Sequence, residues 1–422
     1  MRLALNYQHI DPSRGGAETY LADLCQRLIQ AGHRVDVFAE SWAPGALPPE
    51  VGTIRIAAPG RSRRARILNF GRYSEASLRL SADDYDCTIG FINTWFQDVI
   101  IPQGGVRRAS LEYNAQRFPP GWRRDLYRLG KQINPKAWTY AEIERRQYDP
   151  SRPTRVVAVS EMVRDHLKRY NGVPGERIRV IPNAIDADRL EVPDPEAARR
   201  AFRAGLGLGQ DDLVGLFVAH NFRLKGLHRL LEALHLRQQE QSGARPIHLV
   251  VCGGGKLRPF RRIVARLGLQ RTVHLAGFQA DIRPSFWGSD FFVLPTYYDP
   301  CSLVVFEALA CGLPVITTAC NGAGELIGQG REGFVILSPD EIEAMAHALD
   351  RMADDPARRA MSERAARLGR AQSMDNHVSR LIDLFEDVAA SRNEVPAPHI
   401  ANSELHPLTP KSYPLWDSSS FN

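Results

Sequence analysis

Residues 291–318, from Phe291 to Thr318, read FFVLPTYYDPCSLVVFEALACGLPVITT. An apolar β-type run at 291–294 is ended by Pro295; Asp299 then supplies an N-cap, and Pro300 is a residue well tolerated at a first helical position. A helix is expected over 301–311. Gly312 takes the place of a C′ glycine, Pro314 forbids continuation, and the β-branched run 315–318 is short enough for a buried strand. The stretch is one β-α-β unit carrying two acids. Asp299 is placed at the mouth of the helix and Glu307 about two turns inside it, so one acid faces the crevice and the other lines its wall. The backbone amides of Ser302 and Leu303 offer an anion site at the same end. Taken alone, the stretch is equally compatible with a plain cap at Asp299 and a solvated Glu307.

The pattern continues on both sides. Strands are expected at 214–219, 247–252, 273–276, 315–318 and 334–337, with a helix-sized segment between each pair, which implies a parallel doubly wound sheet. The N-terminal half repeats the arrangement with strands at 3–7, 35–39, 53–57, 87–91, 99–102, 156–160 and 178–182. Its helices are expected to open within 13–18 and run to about 31, then at 63–80, over 122–148 apart from Pro135, and at 161–170. The fold class is therefore α/β, two Rossmann-like doubly wound parallel-sheet domains facing a central cleft. The first spans 1–186 and the second 187–372, a last helix at 373–390 follows, and the Pro/Ser/Asn-rich tail 391–422 is expected to be disordered.

Bulk properties narrow the class. A chain of 422 residues with 44% hydrophobic and 24% charged residues is a two-domain globular protein. No apolar run approaches the ~20 residues of a spanning helix, and the start at Met1 runs straight into a strand, so a cytoplasmic location is expected. Six cysteines without CxxC spacing read as reduced, mostly buried thiols. The net charge of +6 comes from arginines clustered at 61–66, 107–108, 123–124 and 145–146. These are either a solvated face or a surface for anionic lipid or a phosphorylated acceptor; no RNA-type aromatic interleaving accompanies them, so a nucleic-acid partner is not expected. The aromatics of 122–148, including Trp122, Tyr127, Trp138 and Tyr140, are expected to pack internally.

Several loops carry chemistry. Arg223 and Lys225, in HNFRLKG after the first strand of the second domain, read as a fork and a point charge on a diphosphate. Gly15 and Gly16 open the first helix, where backbone comes close to a ligand; Gly253 and its neighbours form a similar loop, or a plain turn. Gln103 and Gly104 follow a strand end, where ligand groups gather, with Arg107 just beyond. No metal-ligand spacing is present, so no metal site is expected.

Together these features resemble the retaining family 4 glycosyltransferases of GT-B fold, from Met1 to about Ala390. The family's two glutamates, with seven residues between them and followed by Ala-x-Ala-x-Gly-x-Pro-Val, appear here as Asp299 and Glu307 followed by Ala308, Ala310, Gly312, Pro314 and Val315, with aspartate in the first place. FVAHNFRLKG and Ser41-Trp42 look most like the lipopolysaccharide core α-1,3-glucosyltransferases. The resemblance implies that Glu307 binds the donor ribose and Asp299 the hexose, with Arg223 and Lys225 on the diphosphate. It further implies Gly15 and Gly16 as the N-terminal glycine loop, Ser302 and Leu303 as phosphate amides, and the segment around Phe278 near the base. Where many relatives have histidine before paired glycines, this chain has Gln103. The last helix is implied to cross back onto the first domain.

The resulting expectation is a retaining, metal-independent hexosyltransferase without a cofactor. It takes a nucleotide-diphosphate sugar, UDP-glucose first among them, and a lipopolysaccharide-core or other glycan or lipid-linked acceptor, and touches the anionic inner face of the membrane peripherally. Two alternatives remain open: a non-catalytic nucleotide-sugar binding module, and a dinucleotide-dependent oxidoreductase built on the GGAE turn, which lacks G-x-G-x-x-G.

Overall fold

The computed structural model describes residues 1–12, 16–240, 243 and 245–394. Gly15 and the tail from 395 onward lie outside the described residues. The first domain contains strands β1 (Arg2–Asn6), β2 (His9–Ile10), β3 (Arg34–Ala39), β4 (Ser41–Trp42), β5 (Gly52–Arg55), β6 (Cys87–Gly90), β7 (Val99–Ile100), β8 (Arg155–Ala158) and β9 (Ile178–Val180). Its sheet is parallel, in the order β5-β3-β1-β6-β7-β8-β9, with β2 and β4 pairing separately. Helices α1 (Gly16–Gln30), α2 (Arg63–Leu80), α3 (Arg107–Gln116), α4 (Trp122–Gln132), α5 (Pro135–Gln147) and α6 (Glu161–Asn171) accompany it.

The second sheet has the order β12-β11-β10-β13-β14-β15, again parallel. Its strands are β10 (Leu213–Val218), β11 (Ile247–Cys252), β12 (Val273–Gly277), β13 (Phe291–Leu294), β14 (Val315–Thr318) and β15 (Gly333–Ile336). Helices α7 (Pro195–Gly205), α8 (Leu227–Glu240), α9 (Arg258–Arg266), α10 (Arg283–Trp287), α11 (Leu303–Ala310), α12 (Ile342–Ala353) and α13 (Asp355–Ala371) complete it. The order reverses between β10 and β13, so loops after both strands open at one switch point. Lys225 follows β10 and Asp299 follows β13.

The last helix, α14 (Met374–Glu394), returns to the first domain, where its Leu381 and Phe385 join the core of Leu21, Leu24, Val35 and Ile89. The crossing is hydrogen-bonded. Ile185 N–H donates to the Gln372 carbonyl at 3.1 Å and Met374 N–H to the Ile185 carbonyl at 3.1 Å. His377 is buried beside it, with Nδ1 2.8 Å from the Pro182 carbonyl and Nε2 2.7 Å from the Tyr20 hydroxyl. Nδ1–H donates to the carbonyl and Nε2 accepts from Tyr20, which suits the neutral ring; burial pushes its pKa down to about 4.

Five expectations need correction. Helix α14 runs to Glu394, four residues into the segment expected to be tail. Helix α3 was not anticipated, because its ten residues RRASLEYNAQ are mostly polar and only Ala109 and Ala115 are buried. The helix expected over 122–148 is two helices, and Pro135 begins the second, where its missing N–H costs nothing. Trp122 on α4, a helix with no buried residue, and Trp138 on α5 are both exposed and not packed inside. Between β14 and β15 lies only a 3-10 turn at Gly322–Leu326.

Arg203 on α7 fastens the second domain's rim from inside. Fully buried, it donates to Asp290 at 2.8 Å and to the carbonyls of Gly288, Gly209, Gln210 and Asp212 at 2.8–3.0 Å. Replacing it takes a donor from the buried Gly288 carbonyl and from the Asp290 carboxylate, whose side chain is only 9% exposed. Arg203→Met should therefore lower unfolding stability by roughly 3 kcal/mol in urea titration, and a loss below about 1 kcal/mol would contradict this account.

Candidate active site at the domain seam

The loop between β13 and α11 is held by both domains. Tyr298 projects against the first domain, its ring 5.4 Å from that of Tyr113 on α3 and 5.9 Å from that of His166 on α6. Gly105 makes the approach possible: a Cβ there would stand 2.6 Å from the Tyr298 hydroxyl and 2.7 Å from Pro300 Cγ, and its φ is +66°. Ser160, the N-cap of α6, accepts from Val163 N–H and donates its Oγ–H to the Pro300 carbonyl at 2.8 Å. Asn183 Nδ2 donates to the Cys301 carbonyl at 2.9 Å. From the next loop, the Glu325 carboxylate accepts the Glu161 and Met162 amides at 2.8 and 2.7 Å, occupying the positive end of α6.

Asp299 is not the helix cap. Its N–H donates to the Cys320 carbonyl at 2.9 Å and its own carbonyl accepts from Gly322 N–H at 3.0 Å, so it lies in an extended bridge beside 320–322. Ser302 is the N-cap of α11, although its side chain makes no capping bond; Asn321 Oδ1 accepts from Ser302 N–H at 3.3 Å instead. Freed from capping, the Asp299 carboxylate accepts from Lys225 Nζ at 2.5 Å, both side chains being about four-fifths shielded at 15% and 20% exposure. Lys225 is held by a turn in which its N–H donates to the Asn221 carbonyl at 2.9 Å. Gly226 ends that turn at φ +78°, where a Cβ would fall 1.9 Å from the Pro295 carbonyl oxygen. Arg223, on the same turn, is exposed.

Because α11 begins at Leu303, Glu307 stands little more than one turn inside it. Its carboxyl lines a cavity of about 240 Å³ bounded by Thr19 and Asp23 of α1, Asp186 and Arg189 of the crossing, and Leu303. Burial pushes it up to about 7. The Gly16 backbone begins α1 on the opposing side, and Gly15 falls outside the described residues.

The remaining sequence-selected residues are more dispersed. Gly253, at φ +130°, is required by packing: its Cβ would lie 1.9 Å from the Ala219 carbonyl oxygen. Phe278 is 69% exposed. Gln103 and Gly104 sit on the loop ending at Gly105, beside the Asp299 loop, and Arg107 opens α3 with its N–H donating to Glu144 Oε1 at 2.8 Å. Ser160, Asn183, Glu144 and Glu325 carry no motif, and only Ser160 was visible in the sequence, as a helix start. Among the described residues no group of three or more His, Cys, Asp or Glu is placed to hold a metal ion. All six cysteines are free and five are buried.

Two facing parallel-sheet domains, with an acid-bearing β-α-β unit clamped at their seam, have the GT-B fold. The family model "Glycosyltransferase Family 4" matches residues 14–189, and "Glycosyl transferases group 1" matches 198–369. The chain is 31% identical over 388 residues to a probable transglycosylase of Burkholderia thailandensis, covering 90% of this chain and 95% of the relative. It is 25% identical over 373 residues to the lipopolysaccharide glucosyltransferase WaaG of Escherichia coli, covering 88% and 95%. The crystal structure of WaaG superposes with a TM-score of 0.70 at 24% identity, covering 91% of this chain and 99% of that one. The chain belongs to the family 4 glycosyltransferases.

The raised Glu307 carboxyl has a consequence for stability. An unfolded glutamate loses its proton near 4.5, the folded one near 7, so the folded state holds the extra proton in that window and loses stability as pH rises through it. Glu307→Gln removes this cost. The variant should be more stable than the parent by roughly 1–3 kcal/mol at pH 8, with the gap closing towards pH 4.5, in thermal melts across pH. A gap independent of pH would refute the assignment.

Proposed function

We propose that this enzyme transfers a hexose, with retention at the anomeric carbon, from a nucleotide-diphosphate sugar to a hydroxyl of a lipopolysaccharide-core or other lipid-linked glycan. The observation that carries the reading is the Lys225–Asp299 pair, formed by the two loops at the switch point of the second sheet, just ahead of the helix that bears Glu307. In this reading Glu307 accepts from the ribose hydroxyls and Asp299 from a hexose hydroxyl. Arg223 and Lys225 meet the diphosphate, together with the Ser302 and Leu303 amides at the N-terminus of α11. Phe278 and Gly253 lie towards the base, and the Gly16 end of α1 faces the diphosphate from the first domain.

The acceptor oxygen bonds to C1 as the bond from C1 to the phosphate oxygen breaks. The hydroxyl proton passes to the departing phosphate, so no side chain serves as nucleophile. Negative charge grows on the diphosphate, where Arg223 and Lys225 are preplaced to stabilise it; the reaction in this form needs no divalent ion. Asp299 has one methylene fewer than the family's glutamate, and its pairing with Lys225 couples sugar binding to diphosphate binding. UDP-glucose is the first donor to examine, in keeping with the glucosyltransferase among the relatives.

Membrane contact is also part of the proposal. Helix α4 exposes Trp122, Leu126, Leu129 and, just past its end, Ile133, each 53–69% accessible, at a spacing that forms one stripe, with Arg123, Arg128 and Lys131 near it. No described helix is long and apolar enough to cross a membrane. A surface contact through α4 is the arrangement these residues suit.

Lys225→Ala should reduce turnover by about 10²–10³-fold, with an unchanged melting temperature. Glu307→Ala should chiefly raise the donor Kd in calorimetry. Near-normal turnover in the first, or an unchanged Kd in the second, would refute these roles. A melting-temperature panel of UDP-, GDP- and ADP-sugars identifies the donor, and NAD in place of any sugar nucleotide would favour an oxidoreductase. For the membrane contact, anionic liposomes should sediment the chain and neutral ones should not; equal sedimentation would refute it.

A further inference from the structure

Three consecutive residues at the start of α6 are engaged from the second domain. Ser160 Oγ–H donates to the Pro300 carbonyl at 2.8 Å, and the Glu161 and Met162 amides donate to the two carboxylate oxygens of Glu325, at 2.8 and 2.7 Å. An amide in the first turn of a helix has no acceptor within that helix. These two therefore depend on a partner from outside, and Glu325 is that partner. Glu325 is exposed. Glu161 and Asp165 of α6 repel its carboxylate, while Arg164, paired with Glu161 at 2.5 Å and with Asp165 at 3.6 Å, offsets part of that repulsion. A water-exposed carboxylate in such surroundings makes a tie that opens and re-forms far more easily than the buried Arg203 cluster.

The segment that carries Glu325 also builds the Asp299 loop. Glu325 lies in the 3-10 turn Gly322–Leu326, whose N-cap is Asn321. Asn321 is 1% exposed; its Oδ1 accepts from Ala323 N–H at 3.2 Å and from Ser302 N–H at 3.3 Å, and its Nδ2 donates to Thr317 Oγ1 at 3.0 Å. Its neighbours Cys320 and Gly322 hold the Asp299 backbone from both sides. Gly322 sits where the parts converge: a Cβ there would lie 2.0 Å from the Pro300 carbonyl oxygen and 2.5 Å from Ser160 Cβ. Six consecutive residues, 320–325, thus join the Asp299 backbone, the first amide of α11 and the first turn of α6. Two of those three attachments lie within the second domain, and Glu325 makes the third, to the first domain.

We propose that Glu325 is a positioning residue for the transfer reaction: by gripping the first turn of α6 it sets where the Asp299 loop, and the donor sugar held there, stands against the first domain. This rests on the proposed transferase reading and adds to it a residue that acts through the 320–325 segment and not on the substrate. Donor binding uses the second-domain bonds of the loop, which remain without Glu325. Transfer needs the two domains in register, and a displacement of about 1 Å between reacting groups can cost about 100-fold. The effect of Glu325 therefore falls on kcat and not on donor affinity.

The test compares Glu325→Ala with the parent, both as the full chain, with the melting temperature as control for folding. Hydrogen exchange of the Glu161 and Met162 amides should be at least about tenfold faster in the variant. With the sugar nucleotide selected by the melting panel and lipopolysaccharide core as acceptor, kcat should fall by about tenfold or more, while donor Kd in calorimetry changes by less than about threefold. Glu325→Gln, of the same size and with one accepting oxygen left, should recover part of the lost kcat. Unchanged exchange of the two amides would overturn the proposal, because the contact would then not hold them. A normal kcat in a folded variant with accelerated exchange would overturn it as well. So would a loss of donor affinity as large as the loss of kcat, which would place the effect within the second domain. Accelerated exchange alongside a parent that turns over no sugar nucleotide would remove the enzymatic reading and the positioning role with it, leaving Glu325 as a plain tie between domains.

Discussion

The loop from Tyr298 to Ser302 can hold its shape only because both domains bind it. Its backbone bridges to 320–322 within the second domain, while Ser160 and Asn183 donate to the carbonyls of Pro300 and Cys301 from the first. Tyr298 fills a space that exists only because residue 105 has no side chain. The carboxylate of Asp299 is thereby fixed between a strand end and a cationic turn, and the start of α11 is set with it. Remove this clamp and Lys225, Glu307 and the first-domain loops lose their common reference.

Electrostatics at the seam trades stability for chemistry. Glu307 is placed where burial opposes its charge, and Lys225 and Asp299 give up much of their hydration to pair. Stability comes instead from the two sheets and from buried polar ties such as Arg203 within the second domain and the His377–Tyr20–Pro182 chain at the crossing. Glu325 shows the same economy at smaller scale: it satisfies two amides at the N-terminus of α6 and joins the domains with one side chain.

The first domain is organised differently from the second. Its α3–α6 group encloses space lined by cations, and α4 presents apolar side chains to solvent with none buried. A helix with no core contact of its own persists through its neighbours, and this one is placed against α3 and α5. The second domain is regular and densely packed, as suits the half that holds the sugar nucleotide in the proposed reaction.

Much of the fold was legible in the chain because parallel α/β sheets repeat short apolar strands at helix-length intervals, a local signal. The second-domain strands at 247–252, 291–294 and 315–318 agree residue for residue, as does α2 at 63–80. Local signals failed where a neighbour overrode them. Asp299-Pro300 has the chemistry of a helix start, but the pairing of 299 with 321 holds it extended and moves the start to Leu303. Helix α3 and the exposure of Trp122 and Trp138 depend on what packs beside them, which residue spacing does not encode. The sequence by itself determined the two-sheet architecture and singled out Asp299, Glu307, Arg223 and Lys225 as candidates. Only the tertiary structure decided that Lys225 meets Asp299 across 74 residues, that Glu307 is buried enough to hold its proton to about 7, and that five scattered cations surround one cavity. Distance and desolvation belong to the folded arrangement of remote segments, and no single segment contains them.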